Sequence, residues 1–327
     1  MLVHCLVSRL TIFQRDAKMK VLVTGGAGFI GSHIVDELIN NGHTAVVVDN
    51  FSTGDSAFVN EKAKIYEADI TNTRDIRNII KKEKPHIINH HAAQSSLPYS
   101  MKKPQMDAKI NILGSLNLLN LSVEFNVKRF IFASSCAVYG KVQLKDLPLL
   151  ENHPTNPATF YGISKKTVED YMKVIQEVHG LQCVALRYGN VYGPRQKPKG
   201  ESGVVPLFIE SLKNNRCPVI IGDGYQTRDF VHVSDVASAN VLAMMSPKTG
   251  IYNIGTGVET SIWKVFYKIQ SKLKSDAYPE MKEDFLKLSA ERVRLWNNKF
   301  YRDFSWRPKV DFSKGIDELI EYDKRNN

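Results

Sequence analysis

The sequence predicts an α/β fold: a doubly wound parallel sheet covered by helices on both faces, followed by a smaller C-terminal unit. Short apolar runs such as "KVLVTG", "TAVVVD" and "RFIFASS" read as strands buried on both sides, because they lack the in-and-out alternation of a half-exposed strand. Amphipathic stretches of helical period separate many of these runs, as parallel crossovers require. A cluster of glycines joins the first strand to the first helix.

From Lys20 the order is strand "KVLVTG", helix "IGSHIVDELINNG", strands "TAVVVD" and "KIYEAD", helix "TRDIRNIIKKE" and strand "HIINHHAA". A long helix, "DAKINILGSLNLLNLSVEF", leads to strand "RFIFASS", and helix "YGISKKTVEDYMKVIQEVHG" leads to strand "QCVALRY". The alternation then loosens: "GPRQKPKGESG" reads as a loop, "PLFIESLKNN" and "DVASANVLAMM" as helices, and "PVIIG", "DFVHV" and "GIYNIG" as strands. The tail "GIDELIEYDKRN" reads as a final helix. The expected division is a flexible extension over 1–18, a ligand-binding α/β domain over 19–187 to which strands around 229–255 return, and a substrate-binding domain over 188–327.

The 327 residues, 43% hydrophobic and 24% charged, suffice for a sizeable core. The net charge of +10 is scattered, and runs such as "KKEK" carry their own counter-charge, so a phosphate-bearing small ligand is expected and nucleic acid is not. Cys5, Cys136, Cys183 and Cys217 are widely spaced with no C-x-x-C pair, which argues against a disulfide framework or zinc knuckle; no metal is expected. Every apolar run falls short of the roughly 18 residues that a membrane span needs. In "MLVHCLVSRLTIFQRDAK", Arg9 interrupts the one apolar segment, so a secretory signal is not expected and a cytoplasmic, reducing setting is. Met19 stands directly before the first strand, which makes 1–18 an extension or the product of an early start.

In "VLVTGGAGFIGSH", Gly25, Gly26, Gly28 and Gly31 lie where a strand turns into a helix. Such a turn needs permissive backbone angles, and a pyrophosphate at the helix N-terminus needs a surface without side chains. The glycines alone would also suit a tight structural turn. Asp49, closing the next strand, decides for a dinucleotide: its carboxylate can accept from both adenosine ribose hydroxyls and repel a 2′-phosphate, favouring NAD over NADP. Ser32 stands where a P-loop would need lysine.

In "YGISK", Tyr161 and Lys165 are four apart on a helix and share a face. A phenol with its ordinary pKa near 10 is a poor base at neutral pH, and making it one takes roughly 4 kcal/mol of preferential phenolate stabilisation. Lys165 and a positively charged nicotinamide can supply that field. The strand end "FASSCAVYG" adds Ser134 and Ser135 just upstream. Cys136 has no evident base and is not expected to be a nucleophile, and His90 and His91, adjacent on a strand, face opposite sides and cannot readily grip one ion.

Taken together, "TGGAGFIGSH", "DNFSTG", "EADI", "HHAAQSS", "FASSCAVYG", "YGISK", "RYGNVYGPRQ" and "GDGYQTRDFVHVSDVA" resemble the extended short-chain dehydrogenase/reductase family, and within it the UDP-glucose 4-epimerase-like nucleotide-sugar enzymes. The resemblance runs from about residue 19 onward and implies a Rossmann-like fold and bound NAD. It implies catalytic roles for Ser135, Tyr161 and Lys165. It places the cofactor on Gly25, Gly28, Phe29, Ile30 and Gly31, on Asp49 and Asn50, and on Asp69 and Ile70. Further cofactor contacts are implied at Ala92, Ala93, Gln94, Tyr161, Lys165 and Tyr188. Substrate contacts are implied at Ser135, Asn190, Arg228 and Arg292. The family also implies a homodimer built from the helices around 105–125 and 158–179.

Related dehydratases and decarboxylases carry an acid in the two positions after the catalytic hydroxyl. Here those positions are Cys136 and Ala137. The resemblance therefore implies NAD-dependent epimerisation at C4 of a UDP-sugar through a 4-keto intermediate, needing only a hydride and one proton. A nucleotide-sugar reductase or other extended short-chain dehydrogenase, and a non-catalytic NAD-binding sensor, are the other readings. Two departures stand out: "LKLSAERVRLWNNKF" lacks the family's Arg-Pro-Gly-acid segment, leaving Arg292 or Arg294 to replace it, and Gly189 stands where many relatives have an aromatic residue. That glycine would widen the sugar pocket toward an N-acetyl group or serve only as a loop glycine.

Overall fold

The computed structural model describes residues 18–198, 203–283 and 291–326. The expected extension, apart from Lys18, and part of the loop 193–203 lie outside these residues, as do residues 286–290 of the departing C-terminal segment.

Strand β1 (Lys20–Thr24), helix α1 (Phe29–Asn40), β2 (Thr44–Asp49), β3 (Lys64–Glu67), α2 (Thr73–Glu83) and β4 (Ile87–His90) open the chain. Next come α3 (Leu97–Lys102), α4 (Pro104–Asp107), α5 (Gly114–Glu124), β5 (Arg129–Ser135), α6 (Phe160–His179), β6 (Gln182–Tyr188) and β7 (Asn190–Tyr192). The remainder holds α7 (Val204–Lys213), β8 (Val219–Ile221), β9 (Thr227–His232), α8 (Val233–Met245), β10 (Gly250–Ile254), β11 (Glu259–Ser261), α9 (Ile262–Leu273), β12 (Glu280–Lys282), α10 (Asn298–Phe304) and α11 (Phe312–Asn326).

Seven parallel strands form the main sheet in the order β10-β6-β5-β4-β1-β2-β3. The order reverses beside β1, and in such sheets the crevice at the strands' C-terminal ends receives the ligand. Alternate residues of each strand feed opposite cores. Val21 and Val23 of β1 pack with Ile34 and Leu38 of α1 and Val236 of α8, whereas Leu22 packs with Ile76 of α2, Leu118 of α5 and Val168 of α6. The uninterrupted apolar strands follow from this double coverage.

Of the later strands, β10 joins the main sheet, while β9 lies between β7 and β11 in a three-stranded sheet and β8 pairs with β12. A separate core of Phe208 on α7, Phe266 on α9, Ile316 on α11 and Phe230 on β9 supports that smaller unit.

The long helix expected over 107–125 is interrupted. A wider π-helical turn over Ala108–Leu113 lies between α4 and α5. Within it Asn111 is buried and donates to Asp107, Ser164 and the Gln94 carbonyl at 2.9–3.1 Å. Side-chain bonds that pull a residue out of helical register are a usual origin of such turns.

Candidate active site

After β1 the chain turns at Gly25, whose φ of 68° suits glycine, and the Gly25 amide donates to the Val48 carbonyl at 2.8 Å. A Cβ at Gly25 would sit 2.6 Å from the Ala92 nitrogen, and one at Gly31 only 2.1 Å from the Gly25 oxygen. The cradle is thus closed to any side chain. Helix α1 starts beyond Gly28 with no side chain bonded to its first amides and no acid in its first turn. Its positive end is left to an anion, with Phe29 and Ile30 half-buried beside it.

Asp49 ends β2 and accepts from the Ala27 amide at 3.0 Å and the Phe51 amide at 2.9 Å, which fix its carboxylate at the rim of the glycine turn. Asn50 donates to Asp69 at 2.8 Å, joining the ends of β2 and β3. Burial works against the Asp69 charge, but bonds from Thr71 and Asn50 outweigh it and lower its pKa. Ile70 is buried and its carbonyl accepts from Asn117 at 2.8 Å.

Past β4, Ala92 and Ala93 are half-buried and Ala92 approaches the glycine cradle. Gln94 is locked: its amide donates to Asn111 at 2.8 Å and its side chain to Asp107 at 2.8 Å. His90 is buried between the Thr24 and Ser115 hydroxyls, at 2.7 and 2.8 Å. His91 meets the Tyr188 hydroxyl at 2.9 Å, and Asn240 donates to the same oxygen at 2.8 Å, so Tyr188 is anchored below the cradle.

Strand β5 delivers two serines with different surroundings. Ser134 is buried and donates to Glu169 at 2.6 Å; Arg187 grips that carboxylate through two bonds of 2.9 and 2.6 Å. Ser134 therefore belongs to a buried structural pair. Ser135 is half-buried and accepts from the Ala137 amide at 3.2 Å, which leaves its own proton to donate.

Helix α6 begins after Thr159, whose hydroxyl accepts from the Gly162 amide at 3.1 Å. A Cβ at Gly162 would lie 2.6 Å from the Ala137 oxygen, so the first turn of α6 sits directly on the turn that follows Ser135. This contact brings Tyr161 close enough to Ser135 for the serine hydroxyl to bear on its titration. Lys165, one turn on, is 4% exposed, with its ammonium 4.7 Å from the Phe132 ring centroid and 5.6 Å from that of Tyr161. It makes no hydrogen bond to the described residues.

Burial dominates the electrostatics of this pair. It lowers the Lys165 pKa to about 8, against the pull of Asp107. It raises the Tyr161 pKa above the ordinary phenol range; the nearby Ser135 hydroxyl opposes this, and the neighbouring Cys136 and the Asp107 carboxylate add to it. Tyr161 is consequently a neutral phenol in the protein by itself, and Lys165 alone does not make it a base. Cys136 is pushed up to about 11 by burial, which removes thiolate chemistry at neutral pH.

On the substrate side, Asn190 opens β7 next to Phe230 of β9, and Arg228 lies on β9, donating to the Thr227 carbonyl at 2.7 Å. Arg228 is close enough to influence Cys136 electrostatically, which puts it on the Ser135 side of the small sheet. Arg292 is held bidentately by Glu259, both bonds 2.7 Å, and Arg294 donates to the Gly257 carbonyl at 3.0 Å. The structure thus gives the Arg292 fork a protein partner rather than aiming it into the cleft unpaired. Gly189 does not face open space either: a Cβ there would meet the Asp229 oxygen at 2.6 Å, so close strand packing accounts for this glycine.

Three residues escaped sequence reasoning. Asp229 accepts four bonds, from the Thr256 amide and hydroxyl and from the Gly257 and Leu295 amides, and so fastens the strand that carries Arg228. Asp107 and Asn111 buttress Gln94 and α6. The acid in "TRDF" and the Asp-x-x-x-Asn spacing within an apolar helix were the available signals. Among the described residues no group of His, Cys, Asp and Glu is arranged to hold a metal ion. The arrangement offers one phenol, one hydroxyl and one ammonium at the C-terminal end of β5, two strands from the glycine turn after β1, a set suited to moving a single proton alongside a hydride.

The pattern of the NAD dependent epimerase/dehydratase family matches residues 21–255. A UDP-glucose 4-epimerase of Mycolicibacterium smegmatis is 37% identical over 311 residues, covering 93% of this chain and 98% of that protein. The structure of a Thermotoga maritima UDP-glucose 4-epimerase with UDP-glucose superposes with a TM-score of 0.91 at 40% identity, covering 94% of this chain and 99% of that one. A Thermus thermophilus UDP-glucose 4-epimerase in complex with NAD gives 0.89 at 36% identity, covering 94% and 100%.

Proposed function

The chain belongs to the NAD-dependent epimerase/dehydratase family, and from that membership we propose that it inverts C4 of a UDP-sugar, UDP-glucose/UDP-galactose or their N-acetyl pair. The observation that carries this reading is the meeting of Ser135, Tyr161 and Lys165 at the C-terminal end of β5, on the sheet edge that also carries the glycine turn, with Cys136 and Ala137 where an elimination acid would stand. The cradle fits NAD because Gly25 and Gly31 leave no room for side chains and Asp49 is fixed at its rim. Held there, oxidised NAD would supply positive charge that favours the phenolate and a reversible hydride acceptor for C4, so that epimerisation would need no net oxidation.

The protein's own groups handle the proton. Tyr161 takes it from the C4 hydroxyl with Ser135 orienting the oxygen, and gives it back when the carbonyl is reduced from the other side. Lys165 holds positive charge near the phenolate. Arg228 and Asn190 bind the diphosphate, by charge-assisted and neutral hydrogen bonds respectively. Arg292 reaches the substrate only by exchanging its Glu259 partner, so its contribution to binding is the smaller. Gly189 is explained by strand packing and does not favour the N-acetyl substrate.

The dimer and the cytoplasmic setting belong to this proposal. Ile163, Tyr171, Val174 and Val178 form an exposed apolar stripe along α6, and Leu113 is exposed just before α5; a second copy packing on these helices would cover them. Free thiols at Cys136, Cys183 and Cys217 suit a reducing compartment.

Tyr161→Phe tests the reading. Turnover of UDP-glucose should fall by roughly 10²–10⁴-fold while NAD stays bound. Unchanged turnover would remove Tyr161 from the mechanism, and stoichiometric NADH release by the unaltered protein would point to a reductase.

A further inference from the structure

The seventh strand carries the sheet one strand beyond the reach of α6, which covers β5 and β6 through Val168 and Met172. Beyond α6 the chain at 149–152 and helix α10 stand over the exposed edge of β10. The Glu151 carboxylate accepts from the Asn253 amide at 2.9 Å, and the Lys299 ammonium donates to the Ile251 carbonyl at 2.7 Å, so the outward backbone groups of β10 are capped by side chains. Between these caps and α6 lies a half-enclosed cavity of about 640 Å³. Its size is that of a small-molecule site. None of its lining residues belongs to the cleft described above. Lys173, on the cavity wall, lies about 12 Å along α6 from Lys165.

The lining has two characters. Met172, Ile251, Leu150 and Trp296 make an apolar surface, and the last two are 47% and 40% exposed, well above what a packed core shows. Around it stand Lys173, Lys299 and Arg302. None of the three ion-pairs with a carboxylate among the described residues. Of the two lining carboxylates, Glu169 is spent on Arg187 and Glu151 accepts from the strand edge. A cavity with an exposed indole and two cations, Lys173 and Arg302, that no carboxylate among the described residues neutralises suits an organic anion with a flat apolar body. We propose that this notch is a second ligand site, distinct from the nucleotide-sugar cleft, that takes a small amphipathic carboxylate, sulfonate or phosphate. Its apolar body lies against Trp296 and Met172 and its anionic end against Lys173 and Arg302.

Anilinonaphthalene sulfonate is a suitable probe, titrated calorimetrically into the NAD-loaded protein with UDP held at saturation. The dye should bind saturably at one site per chain. Lys173→Met and Arg302→Met alter exposed side chains with no hydrogen bond to the described residues, so the fold is not at risk. Each should weaken binding by up to about tenfold, and the double variant by more, with turnover unchanged. Loss of dye binding under saturating UDP, absence of saturable binding, or equal affinity in the double variant would each overturn the proposal.

Discussion

Tyr161 and Lys165 share one helix face and one dry environment, and burial moves both toward their neutral forms. For Lys165 this makes a linkage statement with a definite sign. Its pKa is lowered to about 8 in the fold, so between pH 8 and 10.5 the unfolded chain binds more protons and stability rises with pH across that window. Below pH 8 the fold bears the cost of a buried ammonium. Lys165→Met should therefore stabilise the cofactor-free protein at pH 7 by about 1–3 kcal/mol in denaturant unfolding, flatten the pH 8–10.5 rise, and sharply reduce turnover. Lower stability would show that Lys165 is a structural residue. The grouping of Ser135, Tyr161 and Lys165 was readable in sequence because four-residue helical spacing and a serine-bearing strand end are local patterns. The neutral state of Tyr161 was not, since it depends on how completely α6 is buried against β5.

At the level of elements, two contacts too close for a side chain position the chemistry: α1 on the Gly25 turn through Gly31, and α6 on the Ala137 turn through Gly162. Gly31→Ala should cost the protein its NAD, measured as nucleotide released from the purified, denatured protein; full retention would contradict the cradle. Strand and helix types were legible wherever apolar runs were long. The break in the 107–125 helix was not, because periodicity reports which face is buried and says nothing of Asn111 turning inward to bond Asp107, Ser164 and Gln94. Asn111→Ala leaves the Gln94 amide without its partner and should cost about 1–3 kcal/mol in the same unfolding assay. A neutral result would mean that the π-helical turn is held by packing alone. The short α3 and α10 likewise carried too few residues to show a period, whereas α9, with Val265, Phe266 and Ile269 on one face, could have been found.

Across the whole molecule the parallel, doubly wound class of the sheet was legible from apolar strands alternating with helices, but its strand order and the departures of β7 and β9 into a separate sheet depend on pairing across distant sequence. The same long-range packing makes the protein sensitive to acid. His33 and His91 are held neutral by burial, with pKa values lowered to about 4 and about 3. Below pH 6.5 the unfolded chain takes up protons that the fold refuses, so stability falls as pH drops toward these values; each residue should account for about 1–2 kcal/mol between pH 7 and pH 5. Flat unfolding curves over that range would contradict it. The central claim is that C4 loses and regains the same hydride within one site, and the direct measurement follows a UDP-glucose labelled with deuterium at C4, incubated with the purified protein without added NAD. The account predicts UDP-galactose, or the N-acetyl epimer from the N-acetylated substrate, with the label still on C4 and no NADH accumulating. Exchange of the label with solvent, or its stoichiometric transfer to released cofactor, would contradict it.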